Sequence, residues 1–271
     1  MGLRLTARVG DHRRMPSITG RTVLVTGASR RIAIGAAIAR RAVADGASVL
    51  LHSWSPYDAE QTWGADSPEA LRDELRAAGG HVEHVSADLS DPDAPAALIA
   101  AARDHFGHLD ALVANHARGV NQSLETLTAA ELDLTYAVNT RATLLLAKEF
   151  AAQHDDTRPG GRILVFTSGQ YHGAQPAELP YIASKAALHE LTRSLSVHLI
   201  PRGITVNCVN PGPNETGWAD PETHAAVLRM SPGGRWSTPQ DTARLASWLL
   251  SDEAAWVTGQ TIASDGGWSS K

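Results

Sequence analysis

The stretch of sequence that decides the fold is TVLVTGASRRIAIG, residues 22–35. It begins as a short apolar run, which is typical of a buried parallel strand, and continues into a glycine turn. AAIARRAVADGA at residues 36–47 then has the spacing of an amphipathic helix that ends near Gly46. A strand, a glycine turn and a helix in this order present backbone N–H groups and a positive helix end to a pyrophosphate. The stretch therefore predicts a dinucleotide-binding unit, although an ordinary turn between a strand and a helix has a similar pattern.

Apolar runs and helical segments alternate along the rest of the chain. Further strands are predicted at Ser48–Ser53, His81–Ser86, Leu109–Ala114, Gly161–Ser168, Ile204–Val209 and Gly259–Ala263. Helices are predicted over 68–78, 92–106, 128–154, 181–200 and 239–250, with Ser67, Asp91 and Thr128 as N-caps. This alternation with short loops predicts one α/β domain over 16–271, with a parallel sheet and helices on both of its faces.

Composition argues against several other classes of protein. The 271 residues are 43% hydrophobic, enough for a real core, and the net charge of −5 gives no sign of a nucleic-acid surface. No run of about 18 apolar residues occurs, so no membrane span is predicted. Cys208 is the only cysteine, which excludes a disulfide framework and a cysteine metal site and fits a cytoplasmic location. No metal site is predicted.

The first fifteen residues differ from the rest in charge. They carry four arginines against one aspartate and lack the apolar core of a secretory signal. Residues 1–15 are predicted to form a disordered arm. An equal alternative is that Met15 is the true start of the protein.

The end of the second predicted strand bears on the choice of cofactor. A dinucleotide fold that prefers NAD usually places an Asp or Glu there, on the ribose 2′-hydroxyl. This chain has Ser53 and Trp54 instead, while Arg30 and Arg31 lie in the glycine turn. An arginine near that ribose accommodates a 2′-phosphate, with no competing acid at the strand end. The sequence thus favours NADPH/NADP+ over NAD(H), unless both arginines are merely solvated.

Tyr181 and Lys185 are the leading candidates for a reactive pair. They lie four residues apart at the start of a predicted helix, so their side chains share one face. A phenol titrates at about 10 and is a poor proton shuttle at neutral pH, whereas a nearby ammonium favours the phenolate and lowers the phenol pKa. The spacing alone also fits a surface helix with a solvated lysine.

Two further polar residues fall at informative places. Ser168 ends the predicted strand 161–168, and ligands of an open α/β sheet bind outside the carboxyl ends of the strands. Asn139 interrupts an apolar stretch of the predicted helix 128–154. Asparagine has only a middling helix propensity, so its place there indicates a structural or functional role. We expect Ser168 to reach the site, and Asn139 to serve it through its side chain or a bent backbone carbonyl. A turn-capping serine and a satisfied buried amide are the alternatives.

The segment 214–237 follows the sixth predicted strand and is rich in proline, glycine and polar residues. Long segments over a crevice are candidate lids, and we predict a lid here. The residues that line the substrate site are the hardest to identify from the sequence. The candidates are Gln170, Tyr171 and Trp218, which would face the substrate or only pack the lid.

Taken together and in this order, the motifs resemble those of the short-chain dehydrogenase/reductases. The likeness covers about residues 17–269 and rests on Thr26-Gly27…Gly35, Asp88-Leu89, Asn115, Asn139, Ser168, Tyr181-x-x-x-Lys185 and Pro211-Gly212-x-x-x-Thr216. Arg235-Trp236, Thr258-Gly259-Gln260 and Asp265-Gly266-Gly267 resemble the bacterial branch often labelled 3-oxoacyl carrier-protein reductase. The resemblance implies a Rossmann-type doubly wound domain, with seven parallel strands in the order 3-2-1-4-5-6-7. It also implies a homotetramer, or a homodimer, that acts on a small molecule.

The resemblance further implies roles for the matched residues. Tyr181 would protonate a carbonyl oxygen as hydride arrives, Ser168 would position that oxygen, Lys185 would bind the nicotinamide ribose, and Asn139 would hold a water linking Lys185 to solvent. The cofactor-binding set would be Gly27, Ser29, Arg30, Arg31, Ala33, Ile34, Gly35, Ser53, Trp54, Asp88, Leu89, Asn115, His116, Tyr181, Lys185, Pro211, Gly212 and Thr216. The implied activity is NADPH-dependent reduction of a ketone or 3-oxoacyl group, or the reverse oxidation. The alternatives are an enoyl or imine reductase and a non-catalytic nucleotide-sensing relative.

The chain departs from the family pattern at two places. Arg31 and Ile32 look like an insertion in the glycine turn, and Ala33 stands where the family has its middle glycine, which puts the phosphate contact in doubt. His116 replaces the alanine of the family's Asn-Asn-Ala-Gly. It would respond to substrate or pH, or it would be a packed, hydrogen-bonded histidine.

Overall fold

The computed structural model describes residues 18–158 and 160–270, and its strands form a single parallel sheet. The order β3-β2-β1-β4-β5-β6-β7 confirms the predicted one. The strands are β1 Thr22–Val25, β2 Ser48–Ser53, β3 Val82–Ser86, β4 Ala111–Ala114, β5 Arg162–Phe166, β6 Thr205–Asn210 and β7 Thr261–Ala263. The arm predicted over 1–15 lies outside the described residues.

Helices cover both faces of the sheet, as the alternating pattern predicted. In the described part of the chain they are α1 Ile34–Ala44, α2 Ser55–Ala59, α3 Pro68–Ala77, α4 Ala94–Phe106, α5 Ala129–Tyr136, α6 Ala142–Gln153, α7 Leu179–Leu199, α8 Pro221–Met230 and α9 Pro239–Leu250. Successive strand residues point to opposite faces, so Val23 and Val25 pack towards α1 and α9, while Leu24 packs towards α4 and α6. No described helix combines the length and apolarity that a membrane crossing would need.

Four elements differ from the sequence predictions. The segment 55–66, taken as a polar connection, contains the short helix α2, and the candidate lid 214–237 contains α8. The predicted N-cap Asp91 is wrong: α4 starts at Ala94 after Asp93, while the Asp91 side chain accepts a hydrogen bond from the Asp93 amide in the preceding turn. The predicted helix 128–154 is divided by a π-helical turn at Ala137–Arg141.

The order of the strands places the site. The chain leaves β1 towards β2 and β3 and later returns to β4 on the other side of β1, which makes β1 and β4 the switch point. Gly27 follows β1 with φ +70°, and a Cβ there would lie 2.6 Å from the Cα of His116, which follows β4. Only glycine fits this approach, so the two loops meet closely at the carboxyl ends of neighbouring strands.

Candidate active site

Helix α7 brings Tyr181 and Lys185 to the carboxyl end of β5. The helix starts at Leu179 with Pro180 in its first turn, so both residues lie near its beginning. Lys185 is buried, its Nζ donates to the Phe166 carbonyl over 2.9 Å, and it lies 5.7 Å from the centre of the Tyr181 ring. Lys185 is therefore buried and not a solvated surface lysine, and it lies beside a half-buried Tyr181.

Ser168 joins this pair from the strand side. It follows β5, and its main-chain N–H donates to the Gln170 side chain over 3.1 Å. Its own side chain lies close enough to the Tyr181 phenol to lower the pKa of that phenol as a hydrogen-bond partner. Burial raises the pKa of Tyr181 to about 12, and the Ser168 hydrogen bond offsets only part of that rise. In the protein alone, Tyr181 is accordingly a neutral phenol at pH 7 and holds a proton.

Lys185 does not have the effect on Tyr181 that the sequence argument expected. Burial lowers the pKa of Lys185 to about 8, because its ammonium is removed from water and has no carboxylate partner in the described residues. Desolvation of the phenol outweighs any attraction from this ammonium at 5.7 Å. A lowered Tyr181 pKa would need a further group in the site.

Asn139 lies at the centre of the π-helical turn and is fully buried. Its side-chain oxygen accepts from the Arg118 amide over 2.7 Å, while its nitrogen donates to the Arg118 carbonyl over 2.8 Å and to the Ser184 hydroxyl over 2.9 Å. The side chain is thus engaged in structure. Of the two predicted ways to serve the site, the geometry favours the bent backbone, since π-helical turns displace carbonyls from the regular helical ladder.

Ser184 has a role that the sequence argument missed. Its hydroxyl donates to the Tyr181 carbonyl over 2.7 Å and accepts from Asn139, and its own carbonyl accepts from Thr140 over 3.2 Å. The π-helical turn is therefore bonded to the first turns of α7. The clue that the sequence offered to this role is the position of Ser184 between Tyr181 and Lys185 in the motif.

The altered glycine turn has a regular conformation. Arg30–Ala33 form a turn closed by a hydrogen bond from the Ala33 amide to the Arg30 carbonyl over 3.0 Å. Ala33 is the N-cap of α1 with φ −88° and ψ 172°, a conformation that any residue adopts. Its side chain makes no cap hydrogen bond, so N–H groups in the first turn of α1 remain available to an anion. Ala33 is compatible with a phosphate cradle here.

Asn115 and His116 hold this turn to β4. The Asn115 side chain donates to the carbonyls of Thr26 and Gly27 over 3.2 and 3.1 Å. His116 is buried between the Thr26 hydroxyl, 2.7 Å from its Nδ1, and the Val138 carbonyl, 2.9 Å from its Nε2. Burial lowers the pKa of His116 to about 3, so the neutral, packed alternative is the one that the structure favours.

The two arginines of the turn behave differently. Arg30 donates to the Thr216 carbonyl over 2.7 Å, and its guanidinium stacks 5.2 Å from the centre of the Trp63 ring. Arg31 is exposed and pairs with Glu74 over 2.7 Å. The end of β2 carries no acid, as predicted, but α3 brings a carboxylate to Arg31. Arg30 forms no ion pair within the described residues. Burial lowers the pKa of Arg30, and the nearby Asp58 and Asp66 partly offset that effect.

The remaining predicted cofactor residues lie after the carboxyl ends of β2, β3 and β6 or in the turn after β1. Ser53 is buried and contacts His84, whereas Trp54 is partly exposed at the start of α2. Asp88 accepts from the Ser90 amide, and Leu89 is buried. After β6, Gly212 has φ +61° and Pro211 and Thr216 form the loop that Arg30 contacts. Ser29, Ile34 and Gly35 lie in the turn and at the start of α1.

The predicted substrate residues divide into two kinds. Both polar ends of Gln170 bond to Thr167 and Ser168 around the end of β5, so it is structural in this arrangement. Tyr171 and Trp218 are 38% and 45% exposed, enough to present a ring face to a ligand. Tyr171 also packs on His189, and Trp218 donates to the Asn214 carbonyl within the predicted lid. Whether that segment moves stays a prediction.

This arrangement fits a nicotinamide dinucleotide. After β1, an uncapped helix start follows a turn that only glycine can make at Gly27. A buried ammonium, a phenol and a hydroxyl lie at the end of β5, two strands away in the same sheet. The phenol can transfer a proton, and the hydroxyl can bind the oxygen that receives it.

Comparison with known proteins agrees with the geometry. A family model described as enoyl-(acyl carrier protein) reductase matches residues 27–269. The uncharacterized oxidoreductase YjdA of Bacillus subtilis is 39% identical over 245 residues, which is 90% of this chain and 95% of that protein. A versicolorin reductase of Emericella nidulans is 33% identical and covers 92% of this chain and 96% of its own length.

Solved structures show the same fold. A short-chain dehydrogenase/reductase of Serratia marcescens has a TM-score of 0.81 at 33% identity, covering 93% of this chain and 98% of its own. A protein described as a putative NAD(P)-dependent gluconate 5-dehydrogenase of Beutenbergia cavernae, with bound NADP, has a TM-score of 0.82 at 32% identity, covering 94% and 99%. The chain therefore belongs to the short-chain dehydrogenase/reductase family, as an oxidoreductase that uses a nicotinamide nucleotide on CH–OH or C=O groups.

Proposed function

We propose that this protein reduces a ketone or 3-oxoacyl group to an alcohol with NADPH, or catalyses the reverse oxidation. The observation that carries the proposal is the meeting of Tyr181, Lys185 and Ser168 at the carboxyl end of β5. The four-residue spacing of Tyr181 and Lys185 brings the ring and the ammonium into one enclosed site.

In this proposal the side chains divide the work of proton transfer. When bound, NADPH supplies the hydride. Tyr181 donates its phenol proton to the carbonyl oxygen, and Ser168 binds and orients that oxygen. The Tyr181 phenol holds its proton at neutral pH and is therefore in the correct state to donate. Lys185 holds the nicotinamide ribose and lies where it can return a proton towards Tyr181.

We propose that Asn139 supports the proton path through its backbone. Its amide side chain is fully used by Arg118 and Ser184, so a water on the path from Lys185 to solvent would bind a displaced carbonyl of the π-helical turn. The Asn139 carbonyl also accepts from the Thr143 hydroxyl over 2.7 Å, which keeps the turn in place.

The preference for NADPH is proposed on Arg30. Its guanidinium follows the glycine turn, donates to a neutral carbonyl and stacks on an aromatic ring. It can therefore turn to a 2′-phosphate without breaking an ion pair. Arg31 would first have to leave Glu74, so we assign the larger part to Arg30.

An enoyl reductase is the second candidate, because the matching family model carries that description. The short Tyr181–Lys185 spacing favours carbonyl reduction, since the enoyl reductases that the glycine turn resembles place their Tyr and Lys further apart. We further propose a cytoplasmic homo-oligomer, a homotetramer or a homodimer, as in the family resemblance.

The test is a parallel titration with NADPH and NADH, read by energy transfer from the tryptophans, followed by turnover of two probes. Ethyl 3-oxobutanoate tests carbonyl reduction, and a trans-2-butenoyl thioester tests enoyl reduction. We expect tighter binding of NADPH and turnover of the ketone. Turnover of the thioester alone would support the second candidate. Failure to bind either nucleotide would mean that the altered glycine turn has lost its phosphate site, and it would contradict the proposed activity.

A further inference from the structure

A tyrosine outside the catalytic set reaches the active-site wall from the segment after β2. Tyr57 lies in α2, and its hydroxyl donates to the Gly119 carbonyl over 2.9 Å. The same hydroxyl accepts from the Gly119 amide over 3.0 Å. One side chain thus satisfies both main-chain groups of Gly119, in the loop that follows β4.

Gly119 lies beside the Tyr181 ring. A Cβ at Gly119 would lie 3.6 Å from Cδ2 and 3.9 Å from Cε2 of that ring. The gap between the Gly119 main chain and this edge of the phenol ring is therefore no wider than a methyl group would fill. Gly119 is exposed and the ring is half-buried, so displacement of Gly119 would widen the access of water to the phenol.

The residue before Gly119 is held independently of Tyr57. Both main-chain groups of Arg118 bond to the Asn139 side chain, and its guanidinium pairs with Glu131 through two contacts of 2.8 and 2.9 Å. The guanidinium also lies 5.5 Å from the centre of the Tyr57 ring. Arg118 and Gly119 are therefore anchored by different partners, and only the anchor at Gly119 depends on the Tyr57 hydroxyl.

The contact joins two sides of the nucleotide crevice. Strand β1 lies between β2 and β4, so parallel strand spacing separates the ends of β2 and β4 by about 10 Å. Helix α2 follows β2 and Gly119 follows β4, and the Tyr57 side chain closes this gap outside the end of β1. The segment after β2 begins on the cofactor side of the sheet. Through Tyr57 it therefore holds the main chain at Gly119, which lies beside the catalytic residues.

We propose that Tyr57 is a positioning residue for the reaction: its hydroxyl fixes Gly119 beside the ring of Tyr181 and so keeps the acid oriented. The inference rests on the proposed function, because it assigns Tyr181 as the proton donor. Loss of the hydroxyl frees both main-chain groups of Gly119, while the ring can still stack under Arg118. Tyr57 itself touches neither of the reacting atoms in this account.

The test is the variant Tyr57→Phe, with Tyr136→Phe as the matched control on an exposed tyrosine. With NADPH and ethyl 3-oxobutanoate, we expect kcat to fall about tenfold in Tyr57→Phe, because a small displacement of a catalytic group slows the chemical step. KM for the ketone and Kd for NADPH should stay within about twofold, and NADPH should bind at the wild-type stoichiometry. Hydrogen exchange of the peptide that contains Gly119 should become faster without cofactor.

The outcomes separate this inference from the proposed function. An inactive wild type would overturn both. An active wild type with an unchanged kcat in Tyr57→Phe would overturn the inference alone, as would a weaker Kd for NADPH at constant kcat, which would mean that the contact retains cofactor. A fall in kcat that is matched by lost binding stoichiometry would show a merely structural role and would also overturn it.

Discussion

Replacement of His116 by alanine should change how the stability of this protein depends on pH. His116 is buried between Thr26 and Val138, and burial lowers its pKa from the ordinary 6.5 to about 3. The unfolded chain therefore binds a proton between about pH 6.5 and 3 that the folded protein does not. Stability falls as pH falls through this range, by about 1.4 kcal/mol per pH unit for this one group. Above about pH 6.5 the group is neutral in both states and contributes nothing to the slope.

The magnitude predicts a crossover between wild type and variant. At pH 7, His116→Ala loses two hydrogen bonds and leaves a small cavity, which costs about 2 kcal/mol of unfolding free energy. At pH 5, the wild type has lost about 2 kcal/mol through His116, and the variant has not. The two free energies of unfolding should therefore meet near pH 5. His52 is also buried, and burial lowers its pKa to about 4. It adds a similar pH dependence of the free energy of unfolding to the wild type and to His116→Ala.

The assay is urea unfolding of both proteins at several pH values between 7 and 4.5. His105→Ala removes an exposed histidine and serves as the matched control. In His116→Ala, the free energy of unfolding should depend less steeply on pH, with the slope reduced by the contribution of one proton. The control should show the pH dependence of the wild type. Parallel curves for wild type and His116→Ala would refute the neutral, buried state of His116, and with it the structural role assigned to this departure from the family pattern.

Two further substitutions test the nucleotide side of the site. Gly27→Ala should abolish nucleotide binding and destabilise the protein by more than about 2 kcal/mol, because its Cβ would lie 2.6 Å from the His116 backbone at φ +70°. Thermal unfolding measures the loss of stability, and nucleotide titration measures the loss of binding. A stable variant that binds nucleotide would contradict the close approach. Arg30→Ala should weaken NADPH binding about tenfold and leave the affinity for NADH unchanged. Arg31→Ala should weaken NADPH binding less, because Arg31 pairs with Glu74. Equal losses of affinity for the two nucleotides would argue against a 2′-phosphate contact.

Local sequence patterns were enough to predict the sheet and most helices. The strand from Thr22 and the glycine turn after it predicted the nucleotide end of the fold, because apolar runs and Gly27 each have a local physical reason. The order of the seven strands came from the resemblance to a family and is confirmed by the structure. The motif around Tyr181 and Lys185 likewise lies at the strand end where it was expected.

What the sequence could not supply depends on contacts between distant segments. Arg31 looked free because Glu74 is 43 residues away and reaches it only through the fold. Tyr57 lay in a segment without a readable pattern, and its partner Gly119 is 62 residues away. The π-helical turn at Asn139 arises from bonds to Arg118 and Ser184 that no helix pattern encodes. The expected lowering of the Tyr181 pKa failed because burial, which no spacing reveals, has the larger effect.

The most direct test of the central claim is the rate of NADPH oxidation by Tyr181→Phe in a single turnover with ethyl 3-oxobutanoate. The substitution removes the phenol hydroxyl and its proton but keeps the ring beside Gly119. The account predicts that NADPH binding, read by energy transfer from the tryptophans, stays within about twofold of the wild type. The oxidation rate should fall by at least about 10²-fold, as for the loss of a general acid. A variant that binds NADPH and oxidises it at the wild-type rate would show that Tyr181 is not the proton donor.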